Sequence, residues 1–153
     1  MTAQQKTLLE SNPELKERIR EAVRLGGLKT PSYYPDFLKN GEEIRVLQRL
    51  VAESIRGYFS EHRRPAPLDA IYSRVMEKIW ILRQDGHWPG AWNPRPTKRT
   101  IDRRANEVAS RNPLENLTMI DGKPFAIAAK AGSYLPNPAL FEDIARILKE
   151  TQP

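Results

Sequence analysis

Apolar positions along the chain fall into separated runs, helical in spacing up to about residue 110 and strand-like beyond residue 116. The first ten residues carry no strong pattern and read as an arm or a loosely docked turn. Ser11-Asn12-Pro13-Glu14 then reads as a helix start, with Asn12 as N-cap, Pro13 in the first helical position, and Glu14 and Glu17 at the positive end of the dipole. Leu15, Ile19, Ala22 and Val23 share one face of that helix, and Gly26-Gly27 ends it. Thr30-Pro31-Ser32-Tyr33-Tyr34-Pro35 reads as a linker or extended brace. From 42 to about 60, Ile44, Leu47, Val51, Ser54, Ile55 and Tyr58 trace a second helical stripe. His62-Arg63-Arg64-Pro65-Ala66-Pro67 breaks it. Leu68, Ile71, Tyr72, Val75, Ile79 and Leu82 then predict a helix over 68–84, which Asp85-Gly86 stops.

A Trp/Pro loop occupies 87–96, where no regular element can persist. Thr97 is suited to N-cap a third helix running to about Ser110, because Pro96 bars helix before it. The period then shifts. Residues 117–120, the turn Asp121-Gly122, residues 125–129, the turn Lys130-Ala131-Gly132 and residues 133–135 predict two or three short antiparallel strands. Pro124 cannot donate to a ladder, so its strand end is expected at an edge. Asn137-Pro138 predicts the cap of a last helix, with Leu140, Ile144, Ile147 and Leu148 inward. The chain thus divides into 1–40 (arm, helix and linker), 41–136 (one domain) and 137–153 (a C-terminal helix).

The third helix changes the picture. On a helical wheel Ile101, Ala105 and Val108 fall within about 60° of one another, while Arg99, Arg103, Asn106 and Ser110 lie opposite and Arg104 lies on the flank. The apolar seam is lean. The chain carries 25 Lys/Arg against 19 Asp/Glu, a net charge of +6. Residues 95–111 alone hold six (Arg95, Lys98, Arg99, Arg103, Arg104, Arg111) against Asp102 and Glu107, a net +4. Lys98 and Arg99 in the first turn oppose the helix dipole at about 0.3–1 kcal/mol each. A phosphate bound there would remove that cost. Arg and Asn farther along can make bidentate contacts with guanine and adenine edges. Contact with nucleic acid is the expectation; the plainer alternative is a basic helix facing solvent.

The succession of helix, helix, basic helix and Gly-turn hairpin over 42–135 resembles the winged helix-turn-helix superfamily. The fold class implied is mainly α with a small β-hairpin, plus N- and C-terminal helical extensions. The resemblance implies that 97–111 enters the major groove of double-stranded DNA. It further implies that the hairpin is a wing on the backbone or minor groove, with Lys123 or Lys130 near its tip. The DNA-contacting set is then Arg95, Lys98, Arg99, Arg103, Arg104, Asn106, Lys123 and Lys130. The pattern has about three or four residues between its second and third helices, whereas 85–96 has twelve, room for a loop with its own role.

Other features narrow the function. Trp88 and Trp92 could stack unpaired bases, but are expected rather to pin the long loop onto the core. His62 and His87 stand without partners at ligand spacing. Cysteine is absent, which excludes disulfides and thiol chemistry. No phosphate-loop, nucleophile-elbow or metalloprotease motif appears, so neither catalysis nor a cofactor is expected. No apolar run is long enough to cross a bilayer and no signal peptide is read, so a cytoplasmic protein (nucleoid-associated if bacterial) is expected. The stripes of the first and last helices predict either packing onto the domain or a homodimer on a two-fold DNA site. The expected use is transcriptional regulation, or recognition of an origin or element end. The rival is a winged-helix protein-protein interaction adaptor, with Tyr33, Tyr34, Trp88 and Trp92 as anchors; a single-strand or RNA binder comes third.

Overall fold

The structure is a computed structural model and describes residues 41–130 and 132–151. The arm, helix and linker expected over 1–40, including Tyr33 and Tyr34, lie outside the described residues. Helix α1 spans Gly41–His62, with Glu42 and Glu43 in its first turn. Its stripe buries Leu47, Leu50, Val51, Ile55 and Phe59. The helix ends where Arg63 takes a left-handed φ of 54° and its N–H donates to the Phe59 carbonyl at 2.8 Å. Three residues later Ala66–Pro67 form strand β1, where the sequence predicts only a break. They are extended because they pair antiparallel with a distant segment, Ala66 opposite Tyr134 and Pro67 opposite Ser133.

Helix α2 covers Leu68–Gln84, the range predicted. Gly86, at φ 74°, makes the left-handed reversal that ends it, and the His87 N–H returns to the Leu82 carbonyl at 2.8 Å. Helix α3 runs Lys98–Val108, and the Thr97 hydroxyl caps it by accepting the Thr100 N–H at 3.2 Å. Strand β2 is Ala126–Ala128 and strand β3 is Ser133–Pro136. The sheet order is β1-β3-β2, so β2, next to Pro124, is an edge as expected. No strand forms over 117–120; an isolated bridge between Ile120 and Lys123 closes the Asp121-Gly122 turn instead.

Three helices and the sheet enclose one core, in which Val51, Ile55, Ile71, Val75, Ile101, Ala105, Val108 and Ala126 are fully buried. Trp88 is buried against this core and Trp92 meets it edge-on at 5.2 Å, so the tryptophans pin the long loop. Helix α4 spans Glu142–Thr151. It starts later than predicted because Asn137 is used elsewhere. The Asn137 side-chain carbonyl accepts the Ala139 N–H at 3.0 Å and its amide donates to the Pro124 carbonyl at 2.9 Å, a turn rather than a helix cap. The stripe of α4 packs Ile144 against Phe59 and Leu135. Arg56 reinforces the joint, reaching Asp143 at 2.9 Å and lying 4.4 Å over the Phe141 ring. The apolar side of α4 thus packs onto the domain within the chain, the first of the two alternatives expected of it.

Candidate nucleic-acid interface

Helix α3 packs on the core through its lean seam, with Ile101, Ala105 and Val108 fully buried, and through Arg104 and Glu107 beside it. Opposite them Lys98, Arg99, Arg103 and Asn106 are exposed, and Arg95 is exposed just before the cap. Arg99, Thr100, Asp102, Arg103 and Asn106 line a shallow concavity of about 390 Å³ along that face. Lys98 forms an ion pair with Asp69 in the first turn of α2. That turn is itself joined to the hairpin, since the Leu68 N–H donates to the Gly132 carbonyl at 3.0 Å. The start of α3, the start of α2 and the hairpin tip are therefore one connected corner.

Asn106 has a defined partner. The phenol of Tyr134, on β3, donates to its amide oxygen at 2.6 Å. Burial, followed by the nearby Asp102 carboxylate, pushes the Tyr134 hydroxyl above its usual pKa. It therefore remains a protonated donor at neutral pH.

Arg104 corrects the wheel. Its side chain is only 6% exposed and its Nε lies 3.1 Å from Glu107, itself buried. Glu107 also accepts from the Gln48 amide of α1 at 3.0 Å. The same Gln48 amide donates to the Glu115 carbonyl at 2.6 Å, while its oxygen accepts the Leu117 N–H at 2.8 Å. Arg104 is thus part of a polar brace beneath the helix and is not presented to a ligand. Desolvation by burial raises the Glu107 pKa, against the pull of Arg104, Gln48 and Arg103. Arg103 keeps a longer contact to the same carboxylate, 3.8 Å, while its own side chain stays half exposed.

The two lysines of the expected wing separate. Lys130 is exposed at the β2–β3 turn, where Ser133 donates to its carbonyl from both N–H and hydroxyl. Lys123 stands instead on the tight turn before β2. There it lines a concavity of about 590 Å³ with Arg111, Ala109, Gly122 and Ala128. Arg111 belongs to the cationic segment 95–111 but is not in the predicted contact set. No family model, curated protein or solved structure matches the chain.

Other candidate features are accounted for within the fold. His62 stacks on Tyr58, with ring centroids 4.3 Å apart, and His87 is exposed. Among the described residues no three His, Asp or Glu side chains gather as a metal site, and no helix is long and apolar enough to cross a membrane. The buried Trp88 and half-buried Trp92 are not surface anchors. Trp80 is 59% exposed, beside Ile81 at 45%. Its position about 100° around the helix from Ile79, off the apolar stripe, is the signal by which the sequence could have revealed it.

Proposed function

We propose that this chain is a winged helix-turn-helix protein that binds double-stranded DNA sequence-specifically, with α3 in the major groove. One observation carries the reading: α3 buries an apolar seam and turns Lys98, Arg99, Arg103 and Asn106 outward with no acidic residue in its first turn. The succession of three helices and the β2–β3 hairpin supports it, because that is the succession on which the resemblance rests. Lys98, Arg99 and Arg95 are assigned to phosphate, Arg103 and Asn106 to base edges, and Lys130 to the backbone beside the hairpin. Regulation of transcription, or recognition of an origin or element end, is the use that fits such a reader.

Fluorescence anisotropy with a random duplex of about 30 base pairs, between about 50 and 200 mM salt, tests this. Four to six phosphate contacts give a log–log slope of roughly −4 to −5. The same length of single strand is expected to bind more weakly. Arg99→Ala with Arg103→Ala is expected to abolish most of the affinity, and wild-type binding by that variant would refute the assignment. Arg104 is left intact, because its loss would damage the fold.

A second reading, a protein-interaction adaptor on the same fold, draws on Trp80 and Ile81. Large exposed apolar side chains side by side on a helix suit a protein partner. Such binding would persist at high salt and be lost in Trp80→Ala.

A further inference from the structure

The exposed cations along α3 do not end with the helix. Arg111, three residues past its last turn, and Lys123, on the turn before β2, face one concavity whose other walls include Ala109, Gly122 and Ala128. Small side chains there let a bulky polyanion approach the backbone closely. Neither cation has an ion-pair partner among the described residues, whereas Lys98 is paired with Asp69. Both stand on rigid supports. Asp121 and Gly122 hold φ values of 51° and 75°, and Ile120 and Lys123 exchange backbone hydrogen bonds of 2.9 Å. The chain on either side of Arg111 is held as well: the Asn116 amide donates to the Ser110 carbonyl at 2.8 Å, and the Asn112 N–H donates to the Ser110 hydroxyl at 3.1 Å.

We infer that Arg111 and Lys123 form a second phosphate-binding site, which takes the DNA strand on the far wall of the major groove from Arg95, Lys98 and Arg99. The inference rests on the proposed docking of α3 and extends it. The length of the helix supplies the geometry. Eleven residues at about 1.5 Å each span roughly 16 Å, somewhat more than the ~12 Å width of the groove. With α3 laid across the groove, cations at its two ends meet opposite walls, and α3 is bracketed by phosphate at both. Asn106, between them, is held over the base edges.

The test is the salt dependence of the full chain on the random duplex, wild type beside Arg111→Gln/Lys123→Gln. Each phosphate contact contributes about 0.9 to the slope, so the variant is expected to lose nearly two. Arg111→Lys/Lys123→Arg, which keeps both charges, is expected to retain the wild-type slope. A steep wild-type slope unchanged in the Gln variant overturns the second site and leaves the docking of α3 standing. An equal loss in the charge-keeping variant also overturns it, because the residues would then act through the fold. No salt-dependent duplex binding by the wild type overturns the docking and the second site together.

Discussion

Asn106 projects from the exposed face of α3, and the Tyr134 phenol holds its amide oxygen from below. An amide free to rotate can present donor or acceptor to a base edge; one with its oxygen tethered presents a single arrangement. Tyr134→Phe removes the tether and keeps the ring in the core. Loss of the hydrogen bond is expected to cost about 0.5–1.5 kcal/mol of stability in urea unfolding. Discrimination between a selected site and its single-base variants is expected to fall while the salt slope stays unchanged, because no phosphate contact is lost. Arg104 teaches the opposite lesson at the same scale. Only three residues separate it from Glu107, yet the burial of the pair follows from Gln48, 59 positions before that carboxylate.

At the scale of elements, α4 shows how an amphipathic helix is spent. Its stripe closes over Phe59 and Leu135, covering a part of the sheet and α1 that the three-helix core leaves open. Ile144 is 1% exposed, so Ile144→Ala is expected to destabilise the fold by about 2–5 kcal/mol through lost burial and the cavity left behind. Thermal unfolding checks this. DNA binding well below the lowered melting temperature is expected to be unchanged, since α4 lies on the side of the fold formed by α1 and β3. The long loop between α2 and α3 is an element in the same sense: Trp88 and Trp92 anchor it to the core, and Thr97 sets where α3 begins.

For the whole molecule, the distribution of charge underlies both the proposed DNA contact and the pH response. Most basic side chains of α1 and α2 that face neighbouring elements are paired, Arg56 with Asp143, Arg74 with Glu61 and Lys78 with Glu53. Arg95, Arg99, Arg111 and Lys123, at the two ends of α3 and on the adjoining turns, are exposed and have no ion-pair partner among the described residues. The acidic side of the ledger carries a pH signature. Burial raises the Glu107 pKa, so the folded protein holds that proton more tightly than the unfolded chain does. The stability this contributes is fully present below the unfolded value and is lost as pH rises through the folded one. Glu61 acts in the opposite sense: Arg74 lowers its pKa, and its contribution is lost as pH falls. Urea unfolding of wild type and Glu107→Gln between about pH 4 and 7 separates the two. The decline on the rising-pH side is expected to disappear in the variant, and any loss on the acid side to remain.

By itself the sequence determined α1, α2 and α3, because their signals are local. A stripe of apolar residues at helical spacing, Pro before α2 and Gly after it, and a hydroxyl N-cap on α3 act over a few residues, and the ranges of α2 and α3 follow from them. The exposed set Arg99, Arg103 and Asn106 was legible for the same reason, since one buried seam fixes what lies opposite. Tertiary structure decided the rest. Two residues have no periodicity, and β1 is a strand only because Tyr134 and Ser133 lie opposite it. Asn137 can serve a helix or a turn, and the Pro124 carbonyl within its reach selects the turn. Arg104 and Arg103 are neighbours of one residue type, yet the first is drawn under the helix by Glu107 and Gln48 while the second stays half in solvent. Arg111 and Lys123 share a groove although twelve positions separate them. Each of these depends on groups far apart in the chain, and the energy that joins them exists only once the core has brought them together.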